Sequence, residues 1–117
     1  FIGTPKMNIL PLNSENIVSD NKINFLGNEI IFEKIKFDKK KYFLGIRPEH
    51  FNLSSSSQFK IKPKIDLVEN LGNEKIVYMS NDNLELSAKI SSQEDFQNEI
   101  NFNSKDIFIF DEDGNRI

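Results

Sequence analysis

The 117-residue sequence contains no cysteine and no tryptophan, and it has only one histidine and two arginines. The absence of cysteine excludes disulfide scaffolds, thiolate metal sites and cysteine nucleophiles. No apolar run exceeds four residues, whereas a helix needs about 20 apolar residues to cross a bilayer. The glycine-rich phosphate loops G-x-x-x-x-G-K-[ST] and G-x-G-x-x-G do not occur. We therefore expect a soluble, cytosolic chain that by itself neither binds nor hydrolyses a nucleotide through a standard phosphate cradle.

What the sequence does contain is enough apolar residues for one packed core. Hydrophobic residues make up 38% of the chain, charged residues 28%, and the net charge is −3. These values are ordinary for a globular domain, and the length matches the common domain size of roughly 100–150 residues. We therefore predict a single folded domain.

Strand patterns dominate the sequence. The runs 22–26 and 29–33 flank Gly27-Asn28, which predicts a tight hairpin with the glycine at the first turn position. The run 61–69 is predicted to be one strand in which Ile61, Pro63, Ile65 and Leu67 alternate, and 75–79 follows the turn at 70–73. After the turn at 80–83, Leu84, Leu86, Ala88 and Ile90 alternate onto one face.

Two more strands are predicted at 42–47 and 105–110, and only 92–98 has weak helical character, enough for two turns at most. The segments 39–41 and 54–57 are expected to be loops. The sequence therefore predicts an all-β domain, an antiparallel barrel or sandwich of about seven to nine short strands with at most one short helix.

The single histidine lies in Arg47-Pro-Glu-His50, and no nucleophile motif accompanies it. We expect a structural or surface role for His50. Because Pro48 disfavours helical geometry at the preceding residue, the strand should end at Arg47, which could then pair with a carboxylate such as that of Glu49. No residue is predicted to be catalytic.

Other candidate sites have simpler explanations. Asp111-Glu-Asp-Gly114 lacks the remaining ligands of a calcium loop and is expected to be a turn, so no metal ligand and no cofactor ligand is predicted. Lys39–Lys41 is expected to be a solvated loop. The eleven phenylalanines are expected to fill the core rather than to stack on nucleic acid, because the chain is acidic overall and single-strand binding needs a cationic groove. No nucleic-acid partner is expected.

Four segments, at 1–10, 44–50, 68–74 and 109–114, occur together in a recognisable order and spacing. They resemble the C-terminal regulatory region, known as the TOBE domain, of the ATP-binding subunits of bacterial ABC importers for sugars and glycerol 3-phosphate, the maltose-importer type. The opening F-I-G-x-P-x-M-N motif in particular favours the carbohydrate importers. The resemblance implies an OB-like barrel of the TOBE/MOP kind.

The resemblance also implies partners. Residues 1–10 would be a crossover from an N-terminal ATPase domain that binds ATP and magnesium, and 11–117 would be a single regulatory domain without enzymatic activity. The implied partners are that ATPase domain, a second copy in an ATPase homodimer, and transmembrane permease subunits, at the cytoplasmic face of the membrane. The family motif residues are Phe1, Gly3, Pro5, Met7 and Asn8 in the crossover, Arg47, Pro48, Glu49 and His50 at a strand end, and Leu71, Gly72 and Glu74 at a barrel turn. A small oxyanion-binding barrel of the molybdate type is the alternative.

Overall fold

The structure, a computed structural model, describes residues 6–117, so the expectations for Phe1, Gly3 and Pro5 lie outside the described residues. The described chain is all-β, which confirms the predicted fold class, and it has single 3-10 turns at Pro48–His50 and Ser104–Asp106. Its eleven strands are β1 (Asn8–Leu12), β2 (Ile17–Ser19), β3 (Lys22–Phe25), β4 (Asn28–Ile31), β5 (Tyr42–Ile46), β6 (Phe59–Ile61), β7 (Lys64–Asn70), β8 (Glu74–Asn81), β9 (Leu84–Ser91), β10 (Ile100–Phe102) and β11 (Ile107–Phe110). The number exceeds the predicted seven to nine because β2, β6 and β10 are three residues long, too short to show alternation.

Four antiparallel sheets surround one hydrophobic core, in the arrangement of an OB-like barrel. Their strand orders are β1-β5-β11, β2-β3-β4, β7-β8-β9 and β10-β6. Side chains from all four sheets meet in the same buried cluster, in which Leu12, Tyr42, Leu44, Ile100 and Phe102 are almost fully buried. Phe102 stands at the centre of an aromatic group, with its ring 5.3 to 6.2 Å from three other phenylalanine rings. Within residues 6–117 no helix is long and apolar enough to span a bilayer.

The first hairpin forms as predicted, but its turn lies one residue earlier than expected. The turn residues are Leu26 and Gly27, with φ values of 50° and 84°, so glycine occupies the second turn position. This register pairs Ile23 with Ile30 and buries both. A turn at Gly27-Asn28 would instead pair Phe25 with Ile30, which are also both buried, so burial alone does not distinguish the two turn positions.

The predicted helical character at 92–98 is wrong. The segment makes one turn, in which the Glu94 backbone N–H donates to the Ser91 carbonyl at 3.1 Å and the Glu94 carboxylate accepts from the Ser91 N–H at 3.2 Å. Only Phe96 in this stretch packs on the core, and Asn98 has a φ of 64°. A helix did not form because one apolar residue gives no apolar stripe to bury.

Most other predicted strands form, but the predicted strand 61–69 is broken: β6 ends at Ile61, β7 begins at Lys64, and Leu67 is 60% exposed instead of facing the core. Pro63 lies at the break because it lacks the N–H that a continuous strand would donate. Residues 105–106 lie in a 3-10 turn, so β11 begins at Ile107.

The turn between β7 and β8 spans Leu71 to Asn73, and the turn between β8 and β9 uses Asp82 and Asn83, whose φ values are 48° and 70°. Along β9 the predicted alternating residues face the core, with Leu84 partly buried and the other three buried.

Candidate interface on the outer face of the first sheet

The sheet β1-β5-β11 is apolar on both sides. Its inward residues belong to the core, and its outward residues form a second apolar surface that is only partly covered. Ile9 is 50% exposed, and the three outward phenylalanines are partly buried. The register places Ile9 and Phe108 on either side of Gly45. We call this surface the aromatic face; it comprises Ile9, Phe43, Gly45, Phe108 and Phe110.

Because Gly45 has no side chain, the side chains of Met7, Ile9 and Phe110 pack directly over the backbone of β5. A Cβ atom there would lie 2.6 Å from Met7 Sδ, 2.9 Å from Phe110 Cε2 and 3.3 Å from Ile9 Cδ1. Because these distances are shorter than van der Waals contact, only glycine leaves room for them. Met7 therefore packs onto the aromatic face and extends it beyond the start of β1.

Both arginines of the chain lie on the aromatic face. The guanidinium groups of Arg47 and Arg116 are 5.6 and 4.5 Å from the centre of the Phe108 ring, and Lys41 Nζ is 5.6 Å from the centre of Phe43. Arg116 is held there because it forms a β-bridge with Phe110. Aromatic residues, methionine and arginine are enriched in protein interfaces, whereas lysine is depleted. Since the chain has only two arginines against thirteen lysines, their joint placement indicates a protein-contact surface.

Asn8 joins this sheet to the sheet of β9. Its side chain is buried, and its Nδ2 donates to the carbonyls of Ile46 and Ser87 at 3.0 and 2.9 Å. Its Oδ1 accepts from the Ser87 backbone N–H at 2.8 Å. The amide thus supplies the donor and acceptor that a neighbouring strand would offer to β9.

The motif around His50 differs from the prediction at one point. Within the part of the chain that the structure describes, Arg47 makes no ion pair with Glu49, and its guanidinium stacks on Phe108 instead, because Glu49 follows in a 3-10 turn. His50 Nδ1 is buried 3.8 Å from Asp106 Oδ1, beyond hydrogen-bond distance, and it has no hydrogen-bond partner among residues 6–117.

The turn that contains Leu71, Gly72 and Glu74 belongs to a different sheet. The Leu71 N–H donates to the Glu74 carbonyl at 2.8 Å, and Gly72 has a φ of 94° with no atom within 4 Å of where a Cβ would be. Glycine is therefore required here for backbone conformation rather than for space. Glu74 Oε1 lies 3.3 Å from Lys89 Nζ, which ties the start of β8 to β9.

A second surface feature lies between the β4–β5 loop and the C-terminal turn. It is a depression of about 300 Å³, which we call the lysine depression. It is lined by Lys34, Ile35, Lys36, Asp38, Lys39, Tyr42, Asp111 and Ile117.

Asp111 also caps the predicted turn. Its Oδ1 accepts from the backbone N–H groups of Asp113 and Asn115 at 3.0 and 2.9 Å, and Gly114 has a φ of 85°. The segment is thus a turn, as predicted. Among residues 6–117 no three acidic, histidine or cysteine side chains are grouped so as to hold a metal ion.

Sequence comparison relates this chain to import ATPases. The maltose/maltodextrin import ATP-binding protein MalK of Vibrio cholerae is 38% identical over 86 residues, which cover 68% of this chain and 23% of that protein. The MalK proteins of Yersinia pestis and Vibrio parahaemolyticus are 33% and 34% identical over 84 and 86 residues, again covering 68% of this chain and 23% of each protein. The chain is a relative of the maltose/maltodextrin import ATP-binding proteins. This confirms the predicted resemblance to the maltose-importer type, although no protein-family model matches the chain.

Two of the motif segments on which the predicted resemblance rests meet in the first sheet. Asn8 pairs with Ile46 in the β1–β5 ladder, and Arg47 follows directly, whereas the 71–74 turn lies in the β7-β8-β9 sheet. Sequence reasoning missed the aromatic face. The signal was present in the four consecutive apolar residues of β11, because a strand that is apolar on both sides has two surfaces to cover.

Proposed function

We propose that this chain is the C-terminal regulatory and dimer-supporting domain of the ATP-binding subunit of a bacterial ABC importer. The support is the relationship to MalK proteins, of which the chain matches 23% of the length. In this proposal residues 1–10 cross over from an ATPase domain, and 11–117 form the regulatory domain. The solute is a sugar, as in the names of the relatives, or glycerol 3-phosphate.

The role we propose for the domain is mechanical rather than chemical. ATP and magnesium bind in the ATPase domain, at the cytoplasmic face of the membrane, where that domain also contacts the permease subunits. A second copy of the subunit completes a homodimer, and the regulatory domains help to hold the two copies together. A cytosolic regulator that bound one state of the dimer better than another would shift the balance between them.

We further propose that the aromatic face is covered by the ATPase domain of the same subunit. Two observations support this occupant. The crossover continues directly into β1, whose Ile9 lies on the face, and Met7 packs over Gly45 just before that strand. The relatives also contain more than three times as many residues outside the matched part as within it.

The test uses the full-length subunit assembled with its permease partners. Ile9→Ser removes an apolar side chain that is 50% exposed on the aromatic face, and Val18→Ser is the matched control, because Val18 is 52% exposed on another sheet. We expect the Ile9 variant to lower solute uptake and to weaken the coupling of ATP hydrolysis to uptake, while the control behaves as wild type. Uptake of maltose and of glycerol 3-phosphate is compared. Equal behaviour of the two variants would exclude this occupant of the face. The absence of an encoded ATPase cassette before residue 1 would exclude the whole proposal.

The alternative is a molybdate-type oxyanion-binding barrel. The cationic lining of the lysine depression is the observation that favours anion binding. Calorimetry of the chain with molybdate and tungstate tests it, and tight binding of either oxyanion would favour this alternative over the importer subunit.

A further inference from the structure

The loop between β4 and β5 concentrates positive charge in an acidic protein. Residues 34–41 contain five lysines and one aspartate, a formal charge of +4 in a chain whose net charge is −3. Within residues 6–117, the ammonium groups of Lys34, Lys36 and Lys39 have no ion pair and no hydrogen-bond partner. Because like charges repel, such a cluster produces a positive local potential that a bound anion would reduce.

Aromatic packing holds this loop in place. The Phe37 ring is buried, and its centre lies 5.7 Å from that of Phe32 and 5.1 Å from that of Tyr42, both in edge-to-face geometry. The Tyr42 hydroxyl accepts the backbone N–H groups of Asp38 and Lys39 at 3.0 and 2.9 Å. These contacts anchor the loop backbone at residues 37–39, which lowers the entropy cost of binding a ligand there.

The two aspartates of the lysine depression already have hydrogen-bond partners. Asp38 Oδ1 accepts a hydrogen bond from the Tyr42 hydroxyl at 3.1 Å, and Asp111 Oδ1 accepts two backbone N–H groups of its own turn. Each carboxylate thus has a local hydrogen-bond donor, and the three lysines of the lining outnumber its two aspartates. The depression is therefore suited to an anion rather than to a cation.

We propose that the lysine depression binds the phosphate group of a small organic phosphate monoester. Its volume of about 300 Å³ is at the lower end for small-molecule sites and exceeds what one tetrahedral anion fills. Ile35, Tyr42 and Ile117 add apolar walls that suit a short carbon skeleton, while the lysines supply charge-assisted hydrogen bonds. The site belongs to this chain alone and does not depend on the proposed importer function.

The experiment measures binding of glycerol 3-phosphate to the chain by calorimetry, with glycerol as the uncharged comparison. The test variant is K34Q/K36Q/K39Q, and K60Q/K62Q/K64Q is a control with the same change in charge outside the depression. We expect the test variant to weaken binding by about tenfold or more, since each charged hydrogen bond contributes substantially, and the control to bind as wild type. Urea denaturation of both variants checks that they fold.

Further arms of the experiment distinguish the source of the phosphate. Inorganic phosphate should bind more weakly than glycerol 3-phosphate, because it leaves the apolar walls empty. Binding only to vesicles that contain phosphatidic acid, lost in K34Q/K36Q/K39Q, would support the site and assign a lipid headgroup as its ligand. Absence of saturable binding to every probe, or equal weakening in both triple variants, would overturn the proposal.

Discussion

Replacing Asn8 should uncouple two sheets of the barrel. Its amide makes two donor contacts, to the carbonyls of Ile46 and Ser87, and accepts the Ser87 N–H, all at 2.8 to 3.0 Å. Asn8→Ala removes these partners at a site where Asn8 is only 8% exposed, so water replaces them poorly. An unsatisfied buried polar group costs roughly 1–3 kcal/mol, and carbonyls keep a second lone pair, so we expect a loss of about 2–4 kcal/mol.

Such a loss is large for a domain of this size, because total stabilities are only about 5–15 kcal/mol. Urea denaturation measures it directly. With a slope of roughly 1–3 kcal/mol per molar urea, the midpoint should fall by about 0.7–4 M. Ile9→Ala is the matched control on the same strand, since Ile9 faces outward and is 50% exposed, and its midpoint should change much less.

The variant Asn8→Asp separates hydrogen bonding from shape. It keeps the size of the side chain and the acceptor for the Ser87 N–H. However, it places a carboxylate oxygen against the two carbonyls that accept hydrogen bonds from Asn8 Nδ2 in the wild type. We expect it to lose at least as much stability at pH 7 as Asn8→Ala, because two attractive contacts become repulsive and a charge is buried. If Asn8→Asp were as stable as wild type, the side chain would act through packing alone and the reasoning would fail.

Two further substitutions test the packing of the first sheet and of the lysine loop. Gly45→Ala should destabilise the chain by about 1–3 kcal/mol in urea, because the new methyl group would collide with Met7 and Phe110, and an unchanged midpoint would show that these side chains move aside freely. Tyr42→Phe leaves two backbone N–H groups of the loop without their acceptor and should cost about 1–2 kcal/mol, with faster amide exchange at Asp38 and Lys39. Unchanged exchange at these two amides would contradict the anchoring role of the hydroxyl.

The sequence predicted most of the strands but not where each one begins and ends. In β9 the predicted core face is the observed one, although Ser87 on the opposite face is also buried. The 92–98 segment has acidic residues and a serine cap typical of a helix start, yet it has one apolar residue to bury, so local preference had no tertiary support. The hairpin turn at Leu26-Gly27 was misplaced because turn chemistry allows either register and both registers bury the same face of the hairpin.

The candidate sites were harder to predict because they depend on residues distant in sequence. Arg47 was expected to pair with Glu49, two residues away, but its nearest aromatic partner, Phe108, is brought to it by the β5–β11 pairing. Arg116 lies near the same ring because it forms a β-bridge with Phe110, on the edge of β11 that faces away from β5. Charge patterns along the chain cannot show such a contact. The apolar character of both sides of β11 could have indicated it, because the core can cover only one of those two sides, and the other side, where both arginines lie over Phe108, remains only partly covered.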